Sequence, residues 1–312
     1  MEAALANLEV FASTLLELAR EDSDLLVVTS DSRGSAKLAP FAKAAPGQIV
    51  EVGIAEQNLV GIAAGLAAAG KNVFAVSPAC FLTARSLEQI KNDVCYSDRP
   101  VSVIGISAGV SYGALGTTHH SLHDFAALRA FHNITIVAPA DNFETRAAIK
   151  AAAKLRTPAY LRFGKKTMPH LPRVASAFEL GKASLVRQGN HISFIACGET
   201  VAPTVAAAEL LAAEGIESRV ISMHTIKPLD ESAVLQAATE TGGVITVEEH
   251  SVNGGLGEAC AGLLLQSGIS ARFKIVGLAD EHTVTGSQQE IFKHYGIDGP
   301  GLAATAEKLL SR

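Results

Sequence analysis

From residue 25 to residue 163 the chain alternates β-branched apolar runs with helical patterns: "LLVVTS" (25–30), "QIVEV" (48–52), "NVFAV" (72–76), "VSVIGIS" (101–107), "ITIVAP" (134–139) and "AYLRF" (159–163). Strand, helix, strand, repeated at this spacing, predicts a parallel sheet covered by helices on both faces. Around 165–182 the texture changes to "KKTMPHLPRVASAFELGK", where Pro169 and Pro172 break any helix. Alternation resumes with "HISFIAC" (191–197), "ESRVISM" (217–223), "GVITVEEH" (243–250) and "RFKIVGL" (272–278). The expected fold is therefore α/β, with two domains, each a mostly parallel sheet flanked by helices. We place them at 1–166 and 183–312, joined by a linker at 167–182.

A chain of 312 residues, 48% hydrophobic, can fill two such cores. Its net charge of -5 leaves no basic stripe for nucleic acid or anionic lipid. The longest strongly apolar run, Leu59 to Gly70, is well short of the roughly 20 residues that cross a bilayer. The acidic start, "MEAALANLEVFASTLLELAREDSD", reads as an amphipathic helix and not as a signal peptide, so a cytoplasmic protein is expected. Cys80, Cys95, Cys197 and Cys260 are scattered without a Cys-x-x-Cys pair, which predicts buried thiols and no zinc site. Neither half carries a Gly-x-Gly-x-x-Gly turn or a Walker-type loop.

Chemistry concentrates in a few places. "VEVGIAEQNLVGIAAGLAAAG" sets Glu56 at the head of an apolar helix whose Gly61, Gly65 and Ala68 share a small-residue face suited to close packing. A first-turn carboxylate also suits the helix dipole, so plain capping explains Glu56 equally well. "GVSYGALGTTHHSLHDF" puts His119, His120 and His123 in a loop beyond the carboxyl end of a strand, where open α/β sheets bind ligands. Adjacent histidines diverge and no supporting carboxylate pattern is evident, which favours substrate contact over a metal. Arg162 ends the strand 159–163, where its planar fork suits a phosphate or carboxylate. In "DNFETRAAIKAAAKL", Asp141 and Glu144 have capping-box spacing, a structural job. "NGGLGEACAGLLLQ" (253–266) is a Gly-rich helix entry that either holds an anion on free amides or simply packs closely.

Taken together, "VEVGIAEQNLVGIAAGLAAAG", "FLTARSLEQIKND", "GTTHHSLHDFAALRAFHNITIVAPADNFET" and "VEEHSVNGGLGEA", in this order, resemble the pyrimidine-binding and C-terminal domains of the transketolase family of thiamine diphosphate enzymes. The resemblance covers nearly the whole chain. It implies the C-terminal subunit of a split transketolase, because the family's Gly-Asp-Gly motif for the cofactor's diphosphate is absent. A partner subunit would then carry that motif and its Mg²⁺ or Ca²⁺, in an α2β2 assembly, with thiamine diphosphate shared between chains. This chain itself is expected to hold no metal.

The resemblance implies that Glu56 hydrogen-bonds the aminopyrimidine, favouring the imino tautomer that removes the thiazolium C2 proton. Dry surroundings would keep such a carboxyl protonated. It also implies that Ile54 and Phe81 contact the pyrimidine, that His119 handles substrate hydroxyls and protons, and that Arg162 holds the sugar's phosphate. Arg33, in "SDSRGSAKLAPF" (30–41), lies in a loop that matches one near the substrate mouth. The chain departs from the family at Ala84 and Leu87, where aromatic residues are common, and at Leu115, where many transketolases read a hydroxyl with Asp. An isobutyl group cannot do that, so an unusual or branched sugar phosphate becomes a candidate donor. The 2-oxo acid dehydrogenase beta subunit, a deoxyxylulose phosphate synthase-like ligase and a non-catalytic assembly subunit are the alternatives.

Overall fold

The computed structural model describes residues 4–174 and 177–311. Part of the expected linker, 175–176, and the first three residues of the expected N-terminal helix lie outside them. The first sheet has seven strands in the order β10-β5-β6-β4-β3-β1-β2. They are β1 (Leu25–Thr29), β2 (Ile49–Glu51), β3 (Asn72–Pro78), β4 (Val101–Ile106), β5 (Thr135–Val137), β6 (Ala159–Arg162) and β10 (Thr225–Lys227). The first six are parallel, as the alternation predicts. Near-continuous apolar strands such as β4, buried at every position, are what a sheet covered on both faces requires.

The second sheet runs β12-β11-β8-β9-β7. Its strands are β7 (Ser184–Arg187), β8 (Ile192–Ala196), β9 (Ser218–Ser222), β11 (Val244–Ser251) and β12 (Phe273–Leu278). All pair in parallel except β7, which pairs antiparallel with β9 at the edge. Apart from β10, the change of sheet along the chain falls between Arg162 and Ser184.

Two strands escape the sequence pattern. One is β7, short and half-exposed in alternation. The other is β10, which leaves the second half of the chain and pairs antiparallel with β5 of the first sheet. The intervening segment is also pinned: Thr167 bridges Ala6, and Arg173 binds both Asp141 and Glu144. Asp141 caps its helix as expected, accepting from the Glu144 amide at 3.0 Å. Glu144 instead reaches back to the Ala140 amide at 2.8 Å and accepts from the Ser222 hydroxyl at 3.1 Å, tying the two halves together.

The helix Asn7–Glu21 covers the first sheet with its buried Phe11 and Leu15. All four cysteines are free and buried. Burial pushes the Cys80 and Cys95 thiols up to about 11, so they are poor nucleophiles. Among the described residues no helix is long and apolar enough to cross a membrane, and no cluster of three potential ligands could hold a metal.

Candidate active site

Because β1 to β6 are parallel, their carboxyl ends share one edge of the sheet, where open α/β folds bind ligands. The chain leaves β2 through Gly53 and Ile54 to the helix Glu56–Ala68, and leaves β3 directly into the helix Ala79–Arg85. β4 runs into the histidine loop, and β6 ends at Arg162 with Lys165 just beyond. Glu56, Phe81, His119 and Lys165 therefore converge although 109 positions separate the first from the last (165 − 56).

A continuous row of contacts connects them. Glu56, only 4% exposed, accepts from Arg85 Nη1 through both carboxylate oxygens at 3.1 Å. The Arg85 guanidinium lies over the Phe81 ring, 4.3 Å from its centroid. The Phe81 and His119 rings meet edge-on at 5.3 Å, and His119 meets Tyr112 at 5.3 Å on its other side. Lys165 Nζ sits 4.2 Å from the Tyr112 centroid. Burial lowers the Lys165 pKa, and the nearby Lys37 ammonium lowers it further. The row thus runs from a buried carboxylate, across three rings, to a pair of amines.

Beside its acidic end lies a cavity of ≈710 Å³ lined by Ile54, Ala55, Glu56, Gln57, Asn58 and Arg85. Ile54 is 75% exposed on its wall. The surroundings of Glu56 are dry, as read from its helix, but not wholly apolar, because Arg85 is its partner. Arg85 follows Phe81 by four residues on one helix face; that spacing was the available signal for the pair. Ala84 is exposed, Leu87 is half-buried, and Leu115 is 57% exposed in the histidine loop.

Arg162 is largely engaged within the chain. It is 6% exposed: Nε donates to Asp124 at 2.8 Å, and Nη2 donates to the carbonyls of Ser121 and Glu249 at 3.2 and 2.7 Å. Among the described residues Nη1 makes no hydrogen bond and lies 3.7 Å from a Glu249 carboxylate oxygen, so it is the one nitrogen of Arg162 through which a sugar phosphate could be met without breaking these contacts. Burial opposes the charge on Asp124, but Arg162 outweighs it, with His250 and Tyr160, and holds the pKa below its usual value. Arg33 is paired with Glu51 at 2.9 Å, so it meets a ligand only by giving up that ion pair.

The three loop histidines divide. His119 is half-exposed, with Nδ1 2.9 Å from the Thr118 hydroxyl. His120 is buried, its Nε2 bound to the Gly113 carbonyl at 2.9 Å; burial lowers its pKa. His123 Nε2 lies 3.1 Å from the Thr83 hydroxyl. Only His119 touches the aromatic row.

The loop is held from the other domain. Glu249 of β11 accepts from the Val110 amide at 2.9 Å, and Gly109, at φ +61°, leaves room: a Cβ there would stand 2.1 Å from the Glu249 carboxyl carbon. Gln288 Nε2 donates to Glu249 and to Glu199 at 2.6 Å each. Burial, aggravated by Glu199, pushes Glu249 up to about 8. The neighbouring Glu248 resolves the Gly-rich helix entry: its carboxylate accepts from the Leu256 and Gly257 amides at 2.7 and 2.8 Å. The free amides of the helix end are thus taken by a carboxyl supplied by the chain itself, whose pKa burial raises to about 7.

The protein belongs to the transketolase family: residues 3–170 match the transketolase pyrimidine-binding domain and residues 181–302 the transketolase C-terminal domain. Dependence on thiamine diphosphate goes with that family. The chain is 48% identical to a subunit of the apulose-4-phosphate transketolase of Phocaeicola vulgatus, over 97% of its own length and 96% of that protein's. It is 33% identical to a 6-deoxy-6-sulfo-D-fructose transketolase subunit of a Clostridium species over 97% and 94%. A solved split-gene transketolase, an inactive β4 tetramer, superposes with a TM-score of 0.87 at 35% identity, covering 99% of both chains.

Proposed function

We propose that this chain is the C-terminal subunit of a split transketolase that moves a two-carbon ketol unit from a ketose phosphate to an aldose. The observation that carries the reading is the unbroken row from Glu56 through Phe81 and His119 to Lys165. It has a carboxylate and a stacking ring for a flat nitrogen heterocycle, an imidazole for hydroxyls, and amines for an anionic tail. The planar Arg85 guanidinium, resting on Phe81 and bound to Glu56, supports the fit of such a heterocycle to these two residues.

Thiamine diphosphate, when bound, would supply the nucleophilic carbon that ketol transfer requires. Glu56 would hold the pyrimidine by a hydrogen bond, and Phe81 and Ile54 would wall the ring. His119 binds the sugar hydroxyls and moves a proton at the carbon chain. Lys165, with Lys37, meets the phosphate. The diphosphate and its Mg²⁺ or Ca²⁺ belong to a partner subunit in an α2β2 complex. Two observations support a partner: the missing Gly-Asp-Gly motif, and the inactivity of the split-gene relative as a β4 tetramer.

The donor is an unusual sugar phosphate of the apulose-4-phosphate kind. This rests on the named activity of the Phocaeicola vulgatus relative and on the aliphatic Leu115 at the histidine loop. The test is to reconstitute the chain with its diphosphate-binding partner and screen branched and unbranched ketose phosphates for aldose release. Turnover that survives Glu56→Gln sinks the mechanism. Consumption of pyruvate with a triose phosphate, in place of ketol transfer, moves the chain to the deoxyxylulose phosphate synthase reaction named for relatives 35% identical.

A further inference from the structure

The Arg85 guanidinium satisfies two requirements at once. Its face rests on the Phe81 ring at 4.3 Å, and its Nη1 donates to both Glu56 oxygens at 3.1 Å. A flat group stacked on Phe81 with a polar nitrogen edge turned to Glu56 also describes an aminopyrimidine, whose ring nitrogen would share a proton with that carboxyl. Arg85 and such a ring compete for one ring face and one carboxylate.

The two partners of this ion pair differ in exposure. The Glu56 side chain is 5% exposed and the Arg85 side chain 48%. A guanidinium on a flexible stem at the surface can turn into water at small cost, whereas a buried carboxylate cannot. The ≈710 Å³ cavity that Arg85 lines beside Glu56 gives the incoming ring space and the departing side chain an exit.

We infer that Arg85 occupies the place of the cofactor's aminopyrimidine in the free chain and swings out to solvent when the cofactor enters. The contact keeps the buried Glu56 carboxylate partnered until then, and it makes the free chain a self-blocked half-site. This inference rests on the reading of Glu56 and Phe81 as cofactor-binding residues.

The probe is 4-amino-5-hydroxymethyl-2-methylpyrimidine, the cofactor's pyrimidine half as a free alcohol, titrated into the full-length chain by calorimetry. Arg85→Ala and Arg85→Met should bind it about tenfold tighter than the wild type, because an internal competitor is gone. Arg85→Met keeps the side-chain length, and a far-UV spectrum verifies that each variant is folded. In the wild type, the Arg85 Nε–H resonance should shift toward its solvent-exposed position as the probe saturates. Equal or weaker binding by folded Arg85 variants overturns the inference and makes Arg85 a fixed support for Glu56, as does an unmoved Nε–H signal. Binding indifferent to Glu56→Gln and Phe81→Ala overturns the underlying assignment instead. Absence of binding in every variant overturns both.

Discussion

The imidazole of His119 meets the ring of Phe81 edge-on, with centroids 5.3 Å apart and planes inclined by 72°. The ring proposed to wall the cofactor and the imidazole proposed to handle protons, carried by a helix after β3 and a loop after β4, thereby pack against one another. Shortening either side chain loosens both. His119→Ala should lower ketol transfer in the reconstituted complex about 100-fold, the usual worth of a positioned acid or base. His119→Asn should recover part of the affinity for substrate but little of the turnover, as the separation of KM from kcat will show.

Arg162 and Lys165 lie three residues apart and should respond in opposite ways to removal. Arg162→Met strands the buried Asp124 carboxylate and should cost about 3–5 kcal/mol of stability, read by chemical denaturation. Lys165→Ala removes an exposed amine and should leave the melting temperature nearly unchanged. It should raise KM for phosphorylated substrates about tenfold or more, an effect absent for unphosphorylated analogues.

Glu249 sets a pH dependence whose sign is opposite to ordinary acid denaturation. Burial and the neighbouring Glu199 raise its folded pKa to about 8, above the value of about 4.3 for an unfolded glutamate. Between those values the folded chain binds protons that the unfolded chain releases, so this group's contribution to stability falls as pH rises. Glu249→Gln retains an acceptor for the Val110 amide and should flatten the decline in melting temperature between about pH 5 and about pH 9. Asp124, held below its usual value, works the other way: its contribution disappears as pH falls through its folded pKa.

Leu115 is the simplest handle on specificity. It is exposed in the histidine loop, so Leu115→Asp should fold normally. A carboxylate there can accept from a hydroxyl that an isobutyl group ignores. The ratio of kcat/KM should shift about tenfold toward unbranched pentose phosphates, measured by competition between two donors.

Periodicity made the first six strands and most of the second sheet legible, because buried parallel strands must be apolar at nearly every position. It failed at β7 and β10, which are short and lie at sheet edges, where little apolar sequence is needed. Glu56 and His119 stood out by residue type and place, and Phe81 only through the resemblance to the transketolase family; their partners were not legible. Arg85 looks like any surface arginine until its i, i+4 relation to Phe81 is combined with a carboxylate from another helix. The internal partners of Arg162 were not legible either, because a strand-end arginine reads the same with or without Asp124 and Glu249, 38 positions before and 87 after it. Three consecutive polar residues, Glu248, Glu249 and His250, are buried in β11, against every hydropathy rule, since each is claimed by a backbone or side-chain partner elsewhere.

The crossing of β10 into the first sheet bears on how the chain is made. During synthesis the six parallel strands are all outside the ribosome long before Lys227 appears, and until then β5 presents an open edge. The first sheet can collapse early but cannot be sealed until the ribosome has moved through more than sixty further codons beyond Arg162 (227 − 162 = 65). The two halves are thus interdependent in time as well as in space. A gene fragment ending at the linker would yield a folded core with an adhesive border, prone to pair with its own copies.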